Sequence, residues 1–378
     1  MSQYITGAGS SCWGCLETTY GAGFPSGAQT ADTSLVNMTS ESISTTYNRL
    51  EEGTLLASKT RPAQDLASVT VSGGISTIFK PDFADFVLEW AMGKKSNTTD
   101  DTADDYVDYS WYVDYDVSEY LLADPDEDLP SAVLYLNRSL PKKNNLPQNF
   151  LYDGLTISSL AFDCTAQDFV KADINVNGHN ETLQNANPSP AAPDNSSIGS
   201  YKCTSARLIK KAAGTDDLED WFDNRYFPWD VCPSDVLHKV WDVSRAQLTI
   251  DNGLEDAPAT YCSGLYANQP SHGQRSVTLA CEVPYSDSFE EFRQQYYANT
   301  NPDNLALLLA FCTKETHKED GKDIPDHQIF IIIPNVNIDG ADANVSGQGL
   351  INSNFTGTAL SIGSVEPIKI VKADYNPA

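Results

Sequence analysis

Residue types that could carry chemistry are present, but they do not form a recognisable catalytic pattern. A zinc site needs about four ligands at characteristic spacing. The five histidines instead lie far apart in polar segments, where surface positions are expected: His179, His238, His272, His317 and His327. The phosphate-binding loop, the glycine-rich dinucleotide motif, the HExxH zinc motif and the GxSxG nucleophile motif are all missing. The sequence therefore predicts no catalytic, cofactor-binding or metal-binding residues, and the chain is not expected to be an enzyme.

Two cysteines, Cys12 and Cys15, form a single Cys-x-x-Cys pattern near the start of the chain. A zinc site would need a second pair of ligands, and a redox motif would need an adjacent strand and helix. The surrounding segment is rich in glycine and serine and offers neither. We expect most of the eight cysteines to be reduced, buried thiols.

The acidic segment from Asp124 to Asp128 begins like a calcium-binding loop. An EF-hand needs glycine at its sixth position and glutamate at its twelfth, where this chain has Leu129 and Tyr135. A solvated acidic loop is the favoured interpretation, and a looser calcium site stays open. The two carboxylates of a glycosidase are set by their separation in space, so 52 Asp and Glu residues leave an acidic glycosidase open as a third hypothesis.

Length and charge narrow the class of protein. A chain of 378 residues with 40% hydrophobic residues is long enough for two domains with real cores. Its net charge of −28 argues against binding to nucleic acid or anionic lipid, because both are polyanions. No apolar run approaches the roughly 18–20 residues of a membrane helix, and the first residues do not read as a signal peptide. No membrane insertion is expected.

The element around which the chain is organised is a strand followed by a helix, between Ser68 and Gly93. Ser68–Ile75 alternates small polar and β-branched residues, which is typical of a half-buried strand. Pro81 and Asp82 then begin a helix that ends at Gly93. Its apolar residues fall at helical spacing on one face: Phe83, Phe86, Val87, Trp90 and Ala91.

This unit is repeated about two hundred residues later. Residues 252–256, 276–279 and 287–292 resemble residues 48–52, 68–71 and the helix at 83–86, at separations of 204, 208 and 206. Three blocks in the same order favour an internal duplication. Asp287 and Glu290 suit a capping box. The predicted helix anchors are Phe83, Phe86, Trp90, Phe289, Phe292 and Tyr296.

The predicted fold is mainly β, with two tandem β-sandwich or barrel domains, each flanked by one amphipathic helix, plus loop insertions. We expect an extended N-terminal arm at 1–38 and a first β domain at 39–180. That domain carries an acidic, aromatic insertion at about 94–148. A linker with an aromatic insertion follows at 181–240, and a second β domain at 241–378. In the latter, a buried strand at 328–336 is expected to end at Pro334.

The segment from Trp13 to Gly23 resembles the opening of tail tube proteins of long-tailed bacteriophages. The family-like residues are Glu17, Tyr20 and Gly21, in a Glu-x-x-Tyr-Gly pattern. The strand at 68–74 with its Phe-x-x-Phe helix resembles that family's strand-to-helix unit. Later segments at 158–178, 248–256 and 330–338 fit the same order. The resemblance covers most of the chain outside 94–148 and 181–240.

The resemblance implies a structural subunit without catalysis and without cofactors. Tail tube folds join sideways through long strands into a ring, usually of six folds, whose lumen conducts DNA. Two folds per chain would give a trimer with pseudo-sixfold symmetry, and a hexamer is the alternative. The implied partners are other copies of the chain, the tape-measure, tail-terminator and baseplate proteins, and transient, non-specific DNA. The implied location is the phage tail in the virion, after assembly in the host cytoplasm.

A second hypothesis is a two-domain β-sandwich that binds carbohydrate at a surface. Its basis is the aromatic content of residues 106–115 and 221–229, since aromatic rings can stack on sugars. Packing of these aromatics within their own insertions explains them equally well. Whether the insertion at 94–148 would lie outside a tube or thicken its wall also stays open.

Overall fold

The fold comes from a computed structural model, which describes fourteen segments of the chain. They are residues 10–24, 34–51, 64–96, 115–124, 127–138, 149–184, 199–210, 239–255, 264–266, 268–297, 305–319, 322–343, 352–361 and 366–376. Strands dominate these segments, so the prediction of a mainly β chain is confirmed. No helix within them is long and apolar enough to cross a membrane.

The described segments contain twenty-three strands and two helices. The helices are α1 (Pro81–Met92) and α2 (Asp287–Tyr297). The strands before α1 are β1 (Ser11–Leu16), β2 (Ser34–Val36), β3 (Met38–Glu41), β4 (Ser44–Glu51) and β5 (Gln64–Ile78). Those between the helices are β6 (Gly93–Ser96), β7 (Tyr115–Leu122), β8 (Ala132–Asn137), β9 (Asn149–Thr165), β10 (Lys171–Gly178), β11 (Asn180–Gln184), β12 (Lys202–Lys210), β13 (Lys239–Asp242), β14 (Arg245–Asp251), β15 (Leu254–Glu255), β16 (Ser271–His272) and β17 (Ser276–Pro284). Those after α2 are β18 (Leu305–Cys312), β19 (Thr316–Glu319), β20 (Lys322–Pro325), β21 (His327–Ala343), β22 (Asn352–Ala359) and β23 (Lys369–Tyr375).

Two long strands, β9 and β21, connect the sheets because their two halves have different partners. The first half of β9 belongs to a sheet region with the strand order β2-β1-β8-β9-β11. Its second half lies in the order β4-β5-β10-β9-β14-β17-β22-β21. The first half of β21 lies in the order β13-β12-β18-β21-β23-β7-β6. All these pairings are antiparallel.

The same pattern of pairing occurs twice along the chain. In a first group, β4 pairs with β5, β5 with β10, β10 with the second half of β9, and the first half of β9 with β8. In a second group, β14, β17, β22, β21 and β18 pair in the same way and in the same chain order. A helix follows the second strand of each group, α1 after β5 and α2 after β17.

Irregularities in the ladders fall at matching places in the two groups. The β8–β9 register shifts between Ala132 and Leu134, and the β18–β21 register shifts between Leu305 and Leu307. The β9–β10 and β21–β22 ladders also shift at matching places, after Ile157 in one and after Ile338 in the other. Bulges are specific features of a strand pair, so they align the two groups residue by residue.

The prediction that the buried strand ends at Pro334 is wrong, since β21 continues to Ala343. The neighbouring strand β18 pairs Leu305 with Val336 and Leu307 with Ile333. Pro334 therefore lies inside the irregularity, where the ladder is interrupted and the missing proline N–H removes no regular bond.

Helix α1 begins and ends as its sequence predicts. Pro81 occupies the first turn, and Gly93 follows the last residue in the left-handed region, with a φ of 90°. The Gly93 N–H donates to the carbonyl of Glu89. A glycine is required here for two reasons: its φ is unfavourable for other residues, and a Cβ would lie 2.7 Å from the Cβ of Ala123.

We therefore expect Gly93→Ala to lower the free energy of unfolding by about 1–3 kcal/mol, from backbone strain and overpacking. Urea denaturation would measure the change. Gly23 offers a matched control, because it also has a positive φ of 73° but a Cβ there would meet nothing within 4 Å. Equal losses for Gly93→Ala and Gly23→Ala would contradict the packing part of this explanation.

Several segments predicted as arm, linker or insertion contribute strands to the sheets. The predicted arm at 1–38 contains β1 and β2, and Cys12 and Cys15 are buried. The segment 94–148, predicted as an insertion, contributes to the core through Tyr120 in β7 and through β8, whose first five residues are buried. The segment 181–240 contributes β12, which pairs with β18. The division into two domains stays a prediction.

Candidate assembly surface

Helix α1 places its predicted anchors in the main core. Phe83, Phe86 and Trp90 are all buried. The Phe86 and Trp90 rings stack with centroids 5.3 Å apart, and the Trp90 indole N–H donates to the carbonyl of Leu155 in β9 at 3.0 Å. This aromatic contact and hydrogen bond fix the helix against the long strand.

Helix α2 lies against β21, the strand that matches β9. Phe289 is fully buried, whereas the side chains of Phe292 and Tyr296 lie outside the described residues. The predicted capping box at Asp287 is wrong by one residue. Ser286 is the cap: its hydroxyl accepts from the Phe289 N–H at 3.3 Å, and its carbonyl accepts from the Glu290 N–H.

The Glu-x-x-Tyr-Gly motif forms a compact cluster around one carboxylate. Glu17 accepts hydrogen bonds from the backbone N–H groups of Gly21, Gly23 and Gly154, at 3.1, 2.8 and 3.1 Å. The Ser131 hydroxyl donates to the same carboxylate at 2.7 Å. We call these five residues the Glu17 cluster. It ties the turn after β1 to the segment before β8 and to the middle of β9.

Tyr20 and Gly21 support this cluster from one side. The Tyr20 ring meets the His179 ring edge-on, with centroids 5.5 Å apart, and His179 Nδ1 lies 3.0 Å from the Asp153 carboxylate. Burial, followed by the nearby charges of Glu17 and Asp153, raises the pKa of Tyr20 above its usual value. Gly21 has a φ of 69° and Gly154 one of 62°, so both need glycine. The structure thus brings the three motif residues together.

A buried lysine links helix α1 to the last strand. Lys372 in β23 is 3% exposed, and its Nζ lies 2.5 Å from Asp85 Oδ2. Lys372 also pairs with Asp374, and the Tyr120 hydroxyl donates to Asp85. Burial alone would raise the pKa of Asp85, but the charge and hydrogen bond of Lys372 and the Tyr120 hydrogen bond bring it below its usual value. Sequence reasoning missed this cluster, because its members lie on α1, β7 and β23.

The described residues contain no group of three or more histidine, cysteine, aspartate or glutamate side chains placed to hold a metal ion. A cavity of about 200 Å³ lies beside Cys164 and Cys203. Among the described residues that line it, there is no histidine or carboxylate that could act as a base. Burial raises the pKa of Cys281 and of Cys312 to about 12, so these two thiols stay protonated at neutral pH.

The two strand groups meet at one ladder, between β14 and the second half of β9. We call it the internal joint. Seven residue pairs form it, from Arg245 with Thr165 to Asp251 with Ser159. Arg245 strengthens it with a two-point contact to Asp163, at 3.0 and 2.8 Å. Just beyond the ladder, Asn252 is fully buried, and its side-chain amide donates to the carbonyls of Ala91 and Ile157.

The counterparts of the two strands in the internal joint are β4 and the second half of β21. Each of them has one edge that forms no ladder with another described strand. Among the described strands, β4 pairs with β5 alone, whereas its counterpart β14 has a second partner in β9. The second half of β21 pairs with β22 alone in the same part of the chain, whereas its counterpart in β9 has both β10 and β14. Unpaired strand edges are ready templates for another chain.

Side chains cover part of both edges. Beside β4, Arg138 makes a two-point contact with Glu41 at 2.8 and 3.1 Å and donates to the carbonyl of Ile43 at 2.9 Å. Beside β21, the Tyr297 hydroxyl donates to the carbonyl of Ala341 at 3.2 Å. Charged or polar covers of this kind keep an edge from pairing at random.

Comparison with known proteins agrees with this architecture. No curated protein matches the chain. A family model described as phage tail tube protein matches residues 7–359, nearly the whole length. The match includes the Glu17 cluster, both helices and every strand of both strand groups. The chain belongs to the phage tail tube protein family, whose members are structural components of the viral tail.

Proposed function

We propose that three copies of this chain close into a ring of six similar β units, and that stacked rings enclose a lumen through which DNA passes. The observation that carries the proposal is the repeated pairing pattern, with its two bulges at matching positions. One chain would then supply two tube units, joined by the internal joint. Six units per ring follow from the resemblance to tail tube proteins, and a hexamer of chains is the alternative.

The charge of the chain supports a conduit for DNA. With a net charge of −28, the tube would repel phosphate groups along its length, so DNA would find no register in which to bind. Further partners would be the tape-measure, tail-terminator and baseplate proteins. Assembly would take place in the host cytoplasm, before the tail joins the virion.

Electron microscopy of the purified protein, together with native mass spectrometry of its rings, tests this function. We expect tubes or rings that contain three chains per ring. Rings with six chains would contradict the trimer and leave the tube, and a monomer at all concentrations would contradict the tube itself.

The carbohydrate-binding hypothesis gains no support from the described residues. Its aromatic stretches fall outside them, with the exception of Tyr115, which is buried. The acidic glycosidase hypothesis is not tested by the described residues.

A further inference from the structure

We propose that the internal joint is the template for the contact between neighbouring chains: β4 of one chain pairs with the second half of β21 of the next, in the same register. We call this contact the external joint. The inference rests on the proposed ring and specifies its contact residue by residue. The partner is a second copy of this chain.

The register follows from the matched bulges. Because Ile157 and Ile338 precede the same irregularity, Leu160 corresponds to Ala341, and Ala161 to Asp342. Through β10 and β22, Ser72 corresponds to Thr278. The partners of these two residues, Ser44 and Thr249, therefore correspond as well.

The internal joint pairs Thr249 with Ala161 and Ile250 with Leu160. Transferred to the two open edges, these pairs become Ser44 with Asp342 and Thr45 with Ala341. The adjoining pair, Asp251 with Ser159, becomes Thr46 with Gly340.

The backbone of β4 is oriented for this pairing. The Ser42 N–H donates to the carbonyl of Gly74 at 2.9 Å, so even-numbered residues of this segment bond to β5. In an antiparallel ladder the alternate residues face the other side, which places the N–H and carbonyl of Thr45 and Tyr47 at the open edge. On β21 the carbonyl of Ala341 accepts a hydrogen bond from the Tyr297 hydroxyl. Ala341 corresponds to Leu160, which pairs with Ile250 in the internal joint.

The side chains at the edges support the same register. Asn252, buried against the carbonyl of Ala91 at the end of α1, corresponds to Tyr47. Ala91 corresponds to Tyr297 at the end of α2, because Phe83 and Phe289 align the two helices. Tyr47 and Tyr297 are each 58% exposed in the single chain. The external joint would bring these two exposed tyrosines together, where one ring can cover the other.

Disulfide trapping in assembled tubes tests the register. Ser44 and Asp342 would form a pair without direct hydrogen bonds, in which Cα atoms lie about 4.5 Å apart and a disulfide fits with little distortion. Tubes are first assembled under reducing conditions from an equal mixture of Ser44→Cys and Asp342→Cys chains, then oxidised with copper–phenanthroline. We expect covalent dimers. The matched control replaces Asp342→Cys by Gly340→Cys, a displacement of two residues that puts the thiols about 7–8 Å apart or more, and it should give at least tenfold less dimer.

A chain with both Ser44→Cys and Asp342→Cys extends the test to the ring. Oxidation should convert monomers into a ladder of species that stops at the closed ring, three chains if the trimer is right. The wild-type chain, oxidised alongside, corrects for its own cysteines.

The outcomes separate this inference from the proposed function. Tubes that show no difference between the two cysteine positions, or that favour Gly340→Cys, would overturn the external joint and leave the tube in place. Wild-type chains that form no ring or tube would overturn both. As a second variant, Tyr47→Asp should leave the urea midpoint unchanged while reducing tube yield at least tenfold; unchanged tube yield would also count against the joint.

Discussion

Replacement of Lys372 by methionine is expected to lower the free energy of unfolding by about 2–3 kcal/mol at neutral pH, because it removes the buried cation that two partly buried carboxylates share. Asp85 keeps its 3.4 Å ion pair with Lys95, so the loss stays below that of a fully buried pair. Methionine is nearly as long as the lysine stem, so packing around β23 changes little. The loss arises at Asp85 in α1 and at Asp374 in β23, because both carboxylates pair with Lys372. Urea denaturation followed by circular dichroism would measure it.

A dependence on pH identifies the electrostatic origin. The pKa of Asp85 in the folded chain is below its ordinary value of 3.8, so the unfolded chain binds the proton more readily. This contribution to stability is present above pH 3.8 and is lost as the pH falls through the lower, folded pKa. The difference between wild type and Lys372→Met should therefore shrink as the pH is lowered below about 4.

The matched control is Lys171→Met. Lys171 pairs with Asp168 at 3.1 Å, and both side chains are about half exposed, so the urea midpoint should hardly move. A similar shift for both lysines, or a Lys372→Met loss that stays constant down to pH 3, would show that burial of the ion pair is not the cause.

Glu17→Gln should lower the free energy of unfolding by about 2–4 kcal/mol, since hydrogen bonds to a charged group are worth roughly 1.5–3 kcal/mol each and glutamine keeps only one acceptor oxygen. The carboxylate receives three backbone N–H groups and one hydroxyl. The amide NH₂ of glutamine would face donors, so part of the cluster would lose its partner. Thermal and urea unfolding would both report the loss.

An exposed carboxylate serves as control for the removal of one negative charge. Asp173 lies on β10 with its side chain in solvent, so Asp173→Asn should change the midpoint little. Amide exchange adds a local measurement: in Glu17→Gln the N–H groups of Gly21, Gly23 and Gly154 should exchange faster than in the wild type. Unchanged exchange at these three glycines would contradict the assigned role of Glu17.

The helices and their repeat could be predicted because their signals are local. Pro81, the apolar stripe and Gly93 define α1 in thirteen consecutive residues, and Phe83 aligns with Phe289 as predicted. The strand register was predicted less well. Short sequence similarity aligned Ser68 with Ser276, whereas the ladders align Thr70 with Ser276. A slip of two residues keeps every side chain on the same face, so alternation alone could not detect it.

The contacts of Glu17 and of Lys372 join residues that are far apart in the sequence. Glu17 meets Gly154 from 137 residues away, and Lys372 meets Asp85 from 287 residues away. No periodicity connects such positions. The segment around β8 was assigned to an insertion for another reason: the acidic residues around it dominate the composition, although Ala132–Leu136 is an uninterrupted apolar run.

The internal joint also changes how a ring could assemble. Two units in one polypeptide are held at a high effective concentration, so their ladder closes without a search through solution. In a ring of six units built from such chains, half of the contacts already exist when each chain finishes folding. The closed ring then needs three contacts between molecules instead of six. Tube growth should accordingly tolerate a lower concentration of subunits than it would if each unit were a separate chain.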